Sequence, residues 1–213
     1  MTTSRGAYRT SQALPAEPTP GRIILLNGTS SSGKSSIAKE LLHLLDGPNY
    51  HLAVDAFNAM REQRRDLSPE ALADVLYRMR RGFHRAIAGM AAGGNNVVVD
   101  HVLSEPWRLA DCLEVFTPFD VVFVGVHCSA DELERREHAR GDRPAGLAAQ
   151  QLGIVHAHGL YDIECDTTRT SPHDCARQIK DVLQRGTTHT AFERLRAASP
   201  TPTPTPTGTT ASC

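Results

Sequence analysis

No run in the 213 residues approaches the roughly eighteen apolar residues that a membrane-spanning helix needs, so no membrane partner is expected. A basic excess is also missing. Lysine and arginine total 23 against 24 acidic residues, a formal net charge of -1, which argues against a general nucleic-acid binder. Arg5 and Arg9 are not followed by an apolar stretch, so no secretory leader is expected. The five cysteines, Cys112, Cys128, Cys165, Cys175 and Cys213, are odd in number and lack Cys-x-x-Cys spacing. They read as reduced thiols of a cytoplasmic protein, not as a disulfide frame or a zinc site. No internal repeat is visible, and no Asn-Lys-x-Asp segment of the kind that reads guanine in GTPases.

What is present sorts into one folded domain between two tails. Residues 1–20 are rich in Thr, Ser, Ala and Pro and read as a disordered tail. Residues 187–213 form an extension in which 187–198 can make a short helix. From about 199, Ser199-Pro200 opens a Thr-Pro alternation that favours extended, solvated chain. The domain expected between them, 21–186, is long enough for a sizeable core. A homo-oligomer is compatible with the sequence.

Within that domain one stretch dictates its own chemistry. Gly28-Thr29-Ser30-Ser31-Ser32-Gly33-Lys34-Ser35, followed by Ser36, fits the P-loop pattern of Gly, four residues and Gly-Lys-Ser/Thr. A triphosphate must be wrapped by backbone N–H groups, and Gly28 and Gly33 stand where a Cβ would block that approach. Lys34 supplies a mobile positive charge for the β- and γ-phosphates, and the Ser35 hydroxyl suits Mg²⁺. A helix starting near Lys34 aims its free N–H groups at the same anion. A nucleoside triphosphate with Mg²⁺ is therefore the expected ligand.

The elements around the P-loop alternate. Strands are expected at 22–27, 51–54, 96–100, 120–127 and 161–166. Helices are expected after the P-loop to Asp46, then at about 69–92, 104–115, 130–139, 147–157 and 172–184. Ser68-Pro69 and Ser171-Pro172 each read as an N-cap followed by proline at the first helical position. Alternation of this kind gives a parallel sheet with helices on both faces, with ligands beyond the C-terminal strand ends.

Asp55 and Asp100 fall at such ends. A kinase acting on a hydroxyl needs a carboxylate near the γ-phosphate to take or orient the proton, and Asp55 is the candidate. The residues alone equally allow Asp55 to cap a turn. Asp100 closes Val97-Val98-Val99 in the form of a Walker-B strand, whose Asp holds Mg²⁺ directly or through water. Arg140 and Arg143 flank a helix break, where guanidinium groups either fold over the donor phosphates as a lid or form a solvated basic loop. Phe57, Met60, Leu103 and Trp107 follow the two strand ends and either wall an acceptor pocket or pack the core. Arg61, Arg64 and Arg65 read as a solvated face, with attraction of an anionic acceptor as the alternative. His101 reads as structural, with a substrate contact as the alternative, and His156 and His158 form no metal set with any visible carboxylate.

The segments Ile24-Leu25-Leu26-Asn27-Gly28, Leu52-Ala53-Val54-Asp55, Val99-Asp100 and Val124-Gly125-Val126-His127-Cys128 together resemble the chloramphenicol phosphotransferases. Val155-His156 adds to it, and Ala139-Arg140-Gly141-Asp142-Arg143 and the run from Tyr161 to Thr168 make the match specific, over roughly residues 22–183. The resemblance implies a P-loop kinase fold, an α/β architecture with a five-stranded parallel sheet in the order 2-3-1-4-5. It also implies Asp55 as catalytic base, Arg140 and Arg143 as phosphate-contacting arginines, and ATP with Mg²⁺. The chain departs from the family at Asp100-His101, where two acidic residues are expected, and in the segment holding Arg61, Arg64 and Arg65. The expected activity is ATP-dependent O-phosphorylation of a hydroxylated small molecule, with chloramphenicol as leading acceptor. A small metabolite kinase of the gluconate, shikimate or nucleotide sort and a non-catalytic nucleotide-binding module are the rivals.

Overall fold

The apolar runs become strands because they are buried on both sides, which a pleated ribbon between two helical layers requires. The computed structural model describes residues 18–62, 66–140, 146–186 and 188–198, with Arg140 described by its backbone alone. The strands are β1 (Ile23–Asn27), β2 (Asn49–Ala53), β3 (Asn96–His101), β4 (Val121–His127) and β5 (Ile163–Asp166). They form one parallel sheet in the order β2-β3-β1-β4-β5, the P-loop kinase arrangement expected from the resemblance.

The helices are α1 (Lys34–Leu44), α2 (Val54–Ala59), α3 (Pro69–Ala92), α4 (Pro106–Val115), α5 (Ala130–Arg140), α6 (Leu147–Val155), α7 (Pro172–Arg185) and α8 (Ala191–Ala198). The period-2 alternation of the strands divides the core in two. Ile24, Leu26, Val98, Val122 and Val124 pack with Ile37 and Leu41 of α1 and Ile179 of α7. Ile23, Leu25, Val97, Val99 and Phe123 pack on the other face with Phe83 and Ile87 of α3, Leu113 of α4 and Phe192 of α8. Each such buried side chain contributes about 1.5–3 kcal/mol of transfer free energy. The serine caps form as expected: Ser68 accepts from the Ala71 amide and Ser171 from the Asp174 amide.

Register is what assembles the site. Ala53 pairs with Asp100, Leu26 pairs with both Asp100 and Val124, and His127 pairs with Asp166. The strand ends are therefore level, and the loops beyond β2, β1, β3 and β5 open onto one rim.

Three boundaries differ from the sequence expectation. β2 ends at Ala53, and Val54 opens a helix, α2, that the alternation did not suggest. Val54 is buried in the core, and Asp55 lies in the first helical turn. β5 begins at Ile163 rather than at Tyr161. The Asp162 carboxylate accepts from the Phe123 and Ala191 amides, both at 2.7 Å, so the chain bends there before it pairs. Beyond the expected domain end at 186, α8 packs onto β4 and α4, and Phe192 is fully buried against Phe116 and Phe123. Among the described residues no helix is long and apolar enough to cross a membrane.

Candidate active site

The turn after β1 is tight because nothing larger than glycine fits. A Cβ on Gly28 would lie 2.4 Å from the Val126 carbonyl oxygen and 2.7 Å from Ser32 Oγ. Gly33 takes φ 94°, and Ser31 takes φ 61°, the left-handed region that a side chain adopts at a cost. Thr29, Ser30, Ser31 and Ser32 are buried, and Ser31 Oγ has no hydrogen-bond partner among the described residues. Lys34 Nζ donates to the Thr29 carbonyl at 2.6 Å and lies 3.8 Å from Asp100 Oδ1. Ser35 Oγ donates to Asp100 Oδ2. Curled backbone, an orphaned buried hydroxyl and a lysine suit a triphosphate, and a hydroxyl beside a carboxylate gives the hard oxygen donors that Mg²⁺ prefers.

Two cavities meet at this rim. The first, about 330 Å³, is lined by Gly33, Lys34, Ser35, Ser36, Asp100 and Thr167 among others. The second, also about 330 Å³, lies between α2, α3, α4 and α6 and includes Asn58, Arg80, Ser104, Arg108 and Gln151. Val54, Asp55 and Val102 line both. Asp55 thus stands on the boundary between a phosphate cradle and a second, separate space.

Sequence reasoning missed several groups here. Arg136, one turn before Arg140 on α5, lines the first cavity and clips β5 to the P-loop. Its Nη1 donates to Thr167 Oγ1 at 3.1 Å and to the Ser31 carbonyl at 3.3 Å, and its Nη2 donates to the Thr167 carbonyl at 2.9 Å. The i,i+4 spacing from Arg136 to Arg140 was the available signal. The lid arginines are not both visible: Arg140 ends α5, and Arg143 lies outside the described residues. Arg64 and Arg65 lie outside them too, while Arg61 donates to the Glu62 carbonyl. Gln151 reaches from α6 to accept from the Ser30 amide at 2.7 Å.

Of the two roles open to the apolar residues, the acceptor wall does not form. Phe57 packs against Phe83, Leu103 is buried in the core, and Met60 is 79% exposed, so none of the three lines either cavity. Trp107 instead stacks near Tyr77, 4.6 Å between ring centroids. The second cavity is lined by polar and charged groups in their place.

A buried chain of hydrogen bonds supports Val102, the residue between the cavities. The Val102 amide donates to His101 Nδ1 at 2.8 Å, which fixes the proton of His101 on Nε2. His101 Nε2–H then donates to His84 Nε2 at 2.8 Å, and His84 Nδ1–H donates to Asp111 at 2.5 Å. Arg81 and Arg85 close the chain on the same carboxylate. Burial lowers the pKa of His84 and of His101, so both rings are neutral. Burial alone would raise the Asp111 pKa, but hydrogen bonds from Arg85 and His84 override it and bring it to about 2. His84, His101 and Cys112 come within reach of a common point, yet the nitrogens of both rings are already committed. His101 is structural, as its sequence context suggested.

Below the P-loop, Asn27 ties β1 to neighbouring segments, donating to the Val155 carbonyl and Tyr161 hydroxyl and accepting from the Leu103 amide. His156 bonds the same Tyr161 hydroxyl at 2.6 Å, and burial and the adjacent His127 lower its pKa to about 4.

Residues 21–184 match the family described as chloramphenicol phosphotransferase-like protein. A Mycobacterium tuberculosis protein, provisionally named an O-phosphotransferase, is 34% identical over 201 residues, covering 83% of this chain and 88% of its own length. Among solved structures, the APS kinase of M. tuberculosis in complex with AMPPNP and APS superposes with a TM-score of 0.62. It is 20% identical and covers 78% of this chain and 99% of its own. A gluconokinase from Sinorhizobium meliloti gives 0.55 at 21% identity, with 85% and 99% covered. At these identities the two structures establish the fold alone.

Proposed function

The chain belongs to the chloramphenicol phosphotransferase-like family and is a phosphotransferase acting on hydroxyl groups, and we propose that it moves the γ-phosphoryl group of ATP onto a hydroxylated small molecule. The observation that carries the reading is the position of Asp55, which lines both the phosphate cradle and the second cavity. Of the residues lining both cavities, Asp55 alone carries a group that can take a proton from a hydroxyl bound in the second.

In the proposed reaction the P-loop amides and Lys34 hold the β- and γ-phosphates. Ser35 and Asp100 would hold Mg²⁺, which when bound neutralises charge on the phosphate oxygens. Asp55 accepts the proton of the acceptor hydroxyl as its oxygen bonds to the γ-phosphorus. The bond from that phosphorus to the bridging oxygen breaks, and ADP leaves with the electron pair. Arg136 keeps the cradle in register with β5, and Arg140 with Arg143 would cover the donor phosphates. Positioning and charge stabilisation supply most of the acceleration in such transfers. Buried, unpaired thiols at Cys112, Cys128, Cys165 and Cys175 fit a cytoplasmic setting.

Chloramphenicol is the first acceptor to assay, because the family description names it. A small metabolite of the gluconate, shikimate or nucleotide sort is the second class of acceptor to assay. Purified protein with ATP, Mg²⁺ and each acceptor is analysed by mass spectrometry for a product heavier by one phosphoryl group. Product formation that drops about 10²- to 10³-fold in Asp55→Asn, with nucleotide-analogue binding retained, is the expected result. Wild-type rates in that variant would remove Asp55 as base. A failure of the protein to turn over ATP with any acceptor would leave a non-catalytic nucleotide-binding module.

A further inference from the structure

The second cavity has a charge pattern that an uncharged acceptor leaves unanswered. Among its described lining residues two guanidinium groups, Arg80 of α3 and Arg108 of α4, stand with a single carboxylate, Asp55. Arg108 is 6% exposed and held rigidly: it donates to the Val102 carbonyl at 2.8 Å and to Ser104 Oγ at 2.9 Å, and it pairs with Glu105. Its buried Nε–H still has no acceptor. Arg80 is half-buried and makes no hydrogen bond or ion pair with any described residue. Burial and the repulsion of Arg108 both lower the Arg80 pKa, against the weaker pull of Glu105 and Asp55. A half-buried arginine without a partner among the described residues, next to a second arginine, is an arrangement that folding alone disfavours.

We propose that Arg80 and Arg108 form an anion subsite, and that the acceptor of this phosphotransferase carries a carboxylate, phosphate or sulfate group placed there while its hydroxyl reaches Asp55. The geometry gives each element a job. Arg108 offers a fixed positive wall, because three hydrogen-bonding partners set its plane. Arg80, unengaged, closes on the anion from α3, and guanidinium groups bind oxyanions through paired N–H donors. Ser104 and Asn58 sit in the same lining for hydroxyl contacts. Discrimination against uncharged acceptors then follows from leaving Arg80 and the buried Arg108 Nε–H without an anion to meet them. The inference rests on the phosphotransferase reading only for the role of the cavity; the anion site itself stands or falls by binding.

Trp107 is the sole tryptophan, and its ring lies 5.9 Å from the Arg108 guanidinium carbon, so its fluorescence reports on the subsite. With the P-loop filled by AMPPNP and Mg²⁺, the protein is titrated with three probes of one skeleton: glycerate, glycerol 3-phosphate and glycerol. A saturable change in Trp107 emission with at least one anion and none with glycerol is expected, and which anion binds tighter separates carboxylate from phosphate recognition. Arg80→Gln should weaken that binding about 10- to 100-fold, and Arg80→Lys should restore part of it. AMPPNP binding, measured separately, shows whether each variant folds. No saturable response to either anion, an equal response to glycerol, or unchanged anion affinity in Arg80→Gln would overturn the subsite. Transfer to chloramphenicol at a rate indifferent to Arg80→Gln would overturn it as well, while leaving the phosphotransferase reading intact.

Discussion

In the donor cavity the principal cation is already engaged: Lys34 donates to the Thr29 carbonyl and lies 3.8 Å from Asp100. In the acceptor cavity, a few residues away across Asp55, Arg80 has no such partner. The donor cavity is centred on one continuous stretch, Gly33–Ser36 with Ser31, whose successive backbone amides can surround a phosphate, and Asp55, Asp100, Arg136 and Thr167 complete its wall. The acceptor cavity draws its lining from α2, α3, α4 and α6, with at most a few residues from each. A common reaction step demands a common donor geometry; a private substrate can be met by side chains gathered from anywhere. The two cavities therefore differ in how tightly the chain constrains them.

The sharpest way to break this contrast is at its fixed end. Lys34→Ala should lower phosphoryl transfer on the order of 10³-fold for every acceptor tested, since it removes the charge that meets the donor phosphates. ADP release across the acceptor panel measures it. A loss confined to one acceptor would mean that Lys34 serves the substrate and not the donor.

Next in size is the brace beneath the boundary. Asp111 is nearly buried and receives Arg81, Arg85 and His84. Asp111→Ala should cost about 3 kcal/mol of stability, because it strands a buried histidine chain and two cations. Urea denaturation gives the value. Parallel acrylamide quenching of Trp107 should show the α3–α4 side loosening first, and uniform loosening would argue that the brace serves the whole sheet.

A smaller effect tests the point where the cavities touch. Gln151 lines the acceptor cavity yet accepts from the Ser30 amide of the cradle. If nucleotide takes that amide, Gln151→Ala should tighten AMPPNP binding about 3- to 10-fold, the value of one hydrogen bond. Calorimetry decides, and a weaker affinity would make Gln151 a support of the cradle instead.

The pH response bears on stability rather than on either cavity. His156 has a folded pKa lowered to about 4 by burial, and His84 and His101 are lowered in the same direction. In the unfolded chain these rings bind protons near about 6.5. Above that pH both states are neutral at these sites and stability is flat. As pH falls from about 6.5 towards 4 the unfolded state takes up protons first, and stability declines. Asp111, with its pKa near 2, adds stability that is present above about 3.8 and lost as pH falls through 2. Urea midpoints between pH 7.5 and 4.5 should fall steadily, and His156→Gln should flatten that slope.

Much of the donor side was legible in the residues. The P-loop, its preceding strand and the carboxylate of Asp100 could be placed because each obeys a short local rule. Asp55 was found at its strand end, but α2 was not, since Leu52-Ala53-Val54 reads as continuous strand until tertiary packing draws Val54 inward. Arg108 is one arginine among many on a helix. Nothing in its spacing indicates that its guanidinium turns back to the Val102 carbonyl. Met60, open on hydrophobicity alone to a pocket or to the core, takes neither place and lies in solvent.

By itself the sequence determined the alternating architecture and the P-loop turn, because consecutive residues and strand periodicity carry those. Only the tertiary structure decided three things. The strand ends are level, with Ala53, Asp100 and Leu26 in one row; two cavities meet at Asp55; and the second cavity is walled by arginine rather than by aromatic rings. Those depend on register and on side chains more than twenty residues apart converging, such as Arg80 and Arg108, and no local pattern encodes a distance between helices.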